Sequence, residues 1–150
     1  MIPQEEVLSQ TERDAGRFKL VRDETYTFTP NDGSPEIHIR SGQLVRMLHE
    51  HALQKVIDLT FPAESLESIV ARNGVNVARA DALTEEAASV PVVVGLWHDG
   101  AGVLMDGAHR RYYWAKRGIN VLRGWAVPYA LWSTFIFDPA QVAGIVHERD

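Results

Sequence analysis

The chain has 150 residues, the usual size of one domain, and its hydrophobic content is enough to build one core. Fifteen basic residues against twenty acidic ones leave a formal net charge of -5, which argues against a surface built mainly to hold nucleic acid. There is no cysteine, so disulfides, thiolate metal sites and cysteine nucleophiles are excluded. No apolar run approaches the roughly 18 residues a membrane span needs. The polar start, MIPQEEVLSQTERD, does not read as a secretory signal. The chain therefore reads as soluble, cytoplasmic and without a membrane partner.

Residues 1–15 read as a mobile arm or a short helix. Phe18 to Phe28 alternates and is rich in Val, Thr, Tyr and Phe, as strands are. A dense turn cluster, Pro30 to Pro35, separates it from the alternating Glu36-Ile37-His38-Ile39-Arg40, so a hairpin over about 17–40 is expected. Ser41 is placed to cap a helix over Gly42 to Leu53, with Leu44, Val45, Leu48 and Ala52 along one face. Val56 to Phe61 is a short β-rich run. Pro62 after it suits the first turn of a helix that carries Leu66, Ile69 and Val70 and ends at Asn73-Gly74. Residues 75–83 are ambiguous. Thr84 looks like the cap of a short helical turn.

The last third is the clearest. Val90 to Trp97 reads as an apolar strand, His98 to Gly102 as a tight turn, and Val103-Leu104-Met105 as the return strand of a hairpin. Asp106-Gly107-Ala108 breaks the pattern. A helix follows from about His109 to Lys116 or Arg117, stopped by Gly118. Val121 to Tyr129 is another strand candidate, ended near Pro128. Phe135-Ile136-Phe137 is placed to extend a sheet, and Pro139 to His147 reads as a final helix. The expected class is α+β. Its parts are an N-terminal extension over 1–54 packed on the same domain, a core over 55–132 and a tail over 133–150.

The order strand, Asp-Gly turn, helix carries the chemistry. The first amides of a helix have no partners within it, carry partial positive charge and can surround an anion. Gly107 lets the backbone approach a ligand closely. Arg110 adds a planar fork suited to phosphate. Cationic side chains in a helix's first turn oppose its dipole by on the order of 0.3–1 kcal/mol each, a conflict that a bound anion removes. Asp106 has two readings: it orients His109 or holds magnesium beside phosphates, or it caps the helix. An adjacent helix residue points about 100° away, so Arg111 reads as facing solvent sooner than phosphate. His49-Glu50-His51 lacks the spacing of a helical zinc site. Tyr112, Tyr113 and Trp114 read as core on one face and rim on the other sooner than as a base-stacking platform, and Trp125 and Trp132 as core or interface.

The stretch VPVVVGLWHDGAGVLMDGAHRRYYWAKRGINVLRGWAVPYALW resembles the core of the ParB/sulfiredoxin-like superfamily, which includes partition proteins, sulfiredoxins and free-serine kinases. The features carrying the likeness are the turn Asp106 to Arg110, a helix with Tyr112, Tyr113 and Ala115, then Gly118, and a strand ending at Val127-Pro128. The likeness covers about residues 90–130 and is weaker over 55–75. It implies a small mixed sheet with packed helices, to which the N-terminal hairpin and helix are an extension. It also implies that the turn grips the phosphates of ATP, ADP or CTP with Mg2+. Gly107, Ala108, His109, Arg110 and Arg111 would bind the nucleotide, and Asp106 the metal. Sulfiredoxins place a cysteine where this chain has Ala108, so their reaction is excluded. The kinases use a carboxylate near the start of the upstream helix, close to where Glu64 falls. Candidate catalytic residues are thus Glu64, Asp106 and His109, for a phosphotransferase or a nucleoside triphosphatase. The competing expectations are a nucleotide-gated module that binds protein or DNA, with residues 17–53 facing a protein partner, or a phage- or plasmid-type inhibitor without catalysis.

Overall fold

A computed structural model of the chain describes residues 24–51 and 54–140. The expectations for 1–15, for the hairpin's first residues, for Ala52 and Leu53, and for the final helix beyond 140 lie outside them. The chain divides into two compact units, the larger running Leu44–Thr134. It mixes helices and sheets, as the α+β expectation required. No helix among the described residues is long and apolar enough to cross a membrane.

The smaller unit holds β1 (Tyr26–Phe28) and β2 (Ile37–Ile39), paired antiparallel across the Pro30 to Pro35 turn. The expected third segment lies beside β2. Arg40 donates its N–H to the Phe135 carbonyl at 2.9 Å, Phe137 donates to His38 at 3.0 Å, and Ile136 bridges Ile39. Helix α1 (Ser41–His51) follows directly. Leu44 and Leu48, four residues apart on one face, are buried. Ser41 does not act as the expected cap. It is buried as the first helical residue, and its hydroxyl donates to the Glu24 carbonyl at 3.3 Å.

The larger unit is built on a four-stranded sheet in the order β3-β6-β4-β5. Its strands are β3 (Ile57–Thr60), β4 (Val92–Leu96), β5 (Gly102–Asp106) and β6 (Val121–Val127). β4 and β6 are parallel neighbours, and each edge strand runs antiparallel to its partner. The apolar residues of β4 are buried or half-buried, and so are those of β6 from Leu122 onward, while Val121 at its start is exposed. Gly124 lets β6 sit tightly. A Cβ there would come within 2.4 Å of the Val92 carbonyl oxygen.

Helices α2 (Leu66–Asn73), α3 (Val77–Asp81), α4 (Glu85–Ala88) and α5 (Ala108–Lys116) lie in the same unit. Ile69, Val75, Ala80 and Tyr112 form one buried cluster from α2, the α2–α3 link, α3 and α5. Capping follows local chemistry. Ser65, Asn76 and Thr84 accept N–H groups from the residues three positions on, at 3.0–3.1 Å, and so satisfy amides that the helices leave open. Gly74 ends α2 in the left-handed conformation expected of it. One expectation fails here. Pro62 does not open a helix, because Ser65 is the better cap and α2 begins four residues later. The β6 strand ends at Val127, next to Pro128 as expected, and Tyr129–Trp132 forms a short helix, α6, instead of continuing it. Of the aromatic residues expected in the core, Tyr112, Tyr113, Trp125 and Trp132 are buried, and Trp114 is half-buried.

Candidate functional site

The Asp106–Arg111 segment joins β5 to α5. Gly107 occupies the cap position of α5 at φ 113°, a left-handed conformation that side chains rarely adopt. A Cβ there would lie 2.5 Å from Cγ1 of Val92, so both conformation and space require glycine. The helix has no side-chain cap. Its first internal bond is donated by the Arg111 N–H to the Gly107 carbonyl at 2.8 Å. The N–H groups of Ala108, His109 and Arg110 precede that bond and have no partner among the described residues.

Asp106 does not cap the helix. Its Oδ2 accepts from Nη2 of Arg110 at 2.5 Å, a charge-assisted pair whose side chains are 12% and 16% exposed. The same guanidinium donates through Nη1 to the carbonyls of Val90 (2.8 Å) and Pro91 (2.6 Å). Arg110 therefore ties the entry of β4 to the end of β5. Its fork is spent on the protein's own oxygens. Asp106 offers a magnesium ion only the oxygen that Arg110 leaves, and it makes no bond to His109.

Arg111 overturns the expectation of a solvent-facing side chain. It is 1% exposed. Nη1 donates to Oδ1 of Asn120 at 2.6 Å, and Nη2 to the Pro62 carbonyl at 2.8 Å and Oε2 of Glu64 at 3.5 Å. Its guanidinium carbon lies 4.9 Å from the centre of the Phe61 ring. Burial, and then the charge of Arg72, lower its pKa, yet an arginine remains charged in proteins. The helical turn that aims Arg110 at the start of β4 aims Arg111 at the loop after β3.

Glu64 lies just ahead of the α2 cap. Arg72 pairs with its Oε1, the Ser68 hydroxyl donates to it at 3.2 Å, and Arg111 approaches its other oxygen. Two guanidiniums and a hydroxyl compete for its lone pairs. That arrangement suits an acceptor that neutralises buried charge better than a group that abstracts protons.

His109 is differently placed. Its Nε2 accepts the backbone N–H of Asn76 at 3.0 Å. That bond assigns the ring proton to Nδ1. Partial burial, then the charges of Arg79 and Arg110, hold its pKa below the ordinary histidine value of 6.5. The imidazole is therefore neutral near pH 7, a donor through Nδ1 alone. Arg79 lies on α3, is exposed, and its side chain has no partner among the described residues.

The structure thus gathers Asp106, Gly107, Ala108, His109 and Arg110 at one helix start, and places Glu64 on the far side of Arg111. Asn76, Arg79 and Asn120 escaped the sequence reading. Only Asn76 left a signal, as a capping residue type before Val-Ala-Arg-Ala. Of the other candidates, His49 packs edge-on against Trp125 with ring centres 4.9 Å apart, and His98 lies 4.2 Å from the Tyr129 ring. No group of three potential metal ligands occurs among the described residues. Compared with known proteins, the chain matches no family model, no curated protein and no solved structure.

Proposed function

We propose that the protein binds the phosphates of a nucleotide at the start of α5, within a ParB/sulfiredoxin-like core. The observation that carries this reading is the uncapped helix start. Three amides without partners among the described residues follow Gly107, whose left-handed backbone and close packing on Val92 exclude a side chain. His109 adds a neutral Nδ1–H donor, and Arg79 an exposed cation whose charge already acts on that ring. The order of hairpin, Asp-Gly turn, helix, glycine and strand supports the fold assignment. In this reading Arg110 and Arg111 build the cradle and do not grip the ligand.

Binding without turnover is the better supported form of the reading, because Glu64 is engaged by Arg72, Arg111 and Ser68. Phosphoryl transfer would require a base from elsewhere. Magnesium would arrive with the nucleotide phosphates, with Asp106 as the nearby carboxylate.

A thermal-shift panel of ATP, ADP and CTP, with and without magnesium, tests the reading. Ligand at a hundred times its dissociation constant stabilises by about 2.7 kcal/mol. Wild type should respond to one of the three, and a His109→Ala, Arg79→Ala variant should respond far less. A flat panel defeats the proposal. An undiminished response in the variant moves the site elsewhere.

A further inference from the structure

A concavity lies beside α5, and none of the Asp106–Arg111 turn residues lines it. It has a volume of about 210 Å³ and forms where the α4–β4 link meets the C-terminal half of α5 and the start of β6. Its walls include Val90, Trp114, Ile119 and Val121, with Arg123 at one side. Val90, Ile119 and Val121 are 43%, 42% and 49% exposed, half of the large apolar side chains left open among the described residues. Three such side chains gathered in one cleft differ from apolar residues scattered singly over a surface.

The walls are held before any ligand arrives. Nε1 of Trp114 donates to the Ala88 carbonyl at 2.8 Å. The Ile119 N–H donates to the Trp114 carbonyl at 2.9 Å, and the Val90 carbonyl accepts from Arg110 at 2.8 Å. A ligand would meet a preformed surface and need not order it. Arg123 supplies the one charge. Asp58 stands opposite it in the strand register, yet no ion pair joins them, and the guanidinium has no partner among the described residues.

We infer that this cleft binds a small organic acid with one apolar ring or branched chain and a carboxylate that Arg123 receives. The volume exceeds the roughly 150 Å³ that accommodates a benzene ring in an apolar cavity, leaving room for a short arm. The arginine matches a carboxylate in two-point geometry. This site is independent of nucleotide binding at the α5 start.

The test is an NMR titration of the full chain with 3-phenylpropionate, read at the Trp114 indole N–H and the methyl groups of Val90, Ile119 and Val121. Its neutral counterpart, 3-phenylpropan-1-ol, is titrated in parallel. The expected result is saturable shifts with the acid and about tenfold weaker binding of the alcohol, the size of one charge-assisted contact. Arg123→Gln should weaken the acid about tenfold and leave the alcohol unchanged. An Ile119→Asp variant, changed at an exposed loop position, should lose both. Absence of saturable shifts, equal affinity for acid and alcohol, or full retention of acid binding in Arg123→Gln overturns the inference.

Discussion

Asn76 donates its backbone N–H to Nε2 of His109 at 3.0 Å, joining the cap of α3 to the first turn of α5. The bond can exist only while His109 keeps that nitrogen unprotonated. Folding therefore favours the neutral ring, as burial and the charges of Arg79 and Arg110 also do. With the folded-state pKa lowered, the unfolded chain binds the proton more readily. The contribution is complete above the ordinary value of 6.5 and is lost as pH falls through the lower folded value. Melting temperatures of wild type and His109→Gln, compared from pH 7.5 to 5, should show wild type losing the larger increment. Parallel pH curves would contradict this account.

Arg111 should be the most sensitive charged position among the described residues. Arg111→Met leaves Asn120, the Pro62 carbonyl and Glu64 without a donor at a half-buried place, so stability should fall by about 1–3 kcal/mol. Arg111→Lys should recover little, because an ammonium cannot reach Asn120 and Pro62 from two ends of a fork. Urea unfolding of both variants reads these losses. Wild-type stability in Arg111→Lys would show that the fork geometry is dispensable.

Gly107 and Gly118 both have left-handed backbones, and they should respond differently to alanine. At Gly118 nothing stands within 4 Å of an added Cβ, so the strain alone costs about 1–2 kcal/mol. At Gly107 the methyl also meets Val92 at 2.5 Å, which should raise the loss beyond that of Gly118→Ala. Denaturant midpoints of the two variants decide the order. Equal losses would mean that Val92 yields at no cost.

Glu64→Gln separates structure from chemistry. It removes the charge that faces Arg72 and Arg111, so stability should fall by about 1–3 kcal/mol. Affinity for whichever nucleotide binds should change less than twofold, because Glu64 lies beyond Arg111 and not at the α5 start. Loss of nucleotide binding at a temperature where the variant is folded would return Glu64 to the site.

Thr84→Ala removes the cap of α4, whose hydroxyl oxygen accepts from Ala87 at 3.1 Å. The expected loss is about 1 kcal/mol, read as a lowered melting temperature. Unchanged melting would mean that α4 is held by its packing alone.

Much of the fold was legible in the chain. The hairpin of β4 and β5, the breaks at Gly74, Gly107 and Gly118, and the Thr84 cap all rest on local rules: alternation, turn chemistry and the orphan amides of helix ends. Those rules act over a few residues, so a sequence states them directly. The boundary errors at Ser41 and Pro62 arose where two local signals competed and long-range packing chose between them. The candidate site divided along the same line. The residues of the turn were named from their order alone. Whether each looks outward or inward depends on partners far away in the chain: Val90 and Pro91 for Arg110, Pro62, Glu64 and Asn120 for Arg111, Asn76 for His109. A guanidinium beside phosphate and one beside carbonyl oxygens satisfy the same donors and leave the same letter in the sequence. Only the tertiary structure decides which oxygens come within reach. Here it committed both arginines of the turn to the protein itself, leaving the helix amides and His109 at the opening.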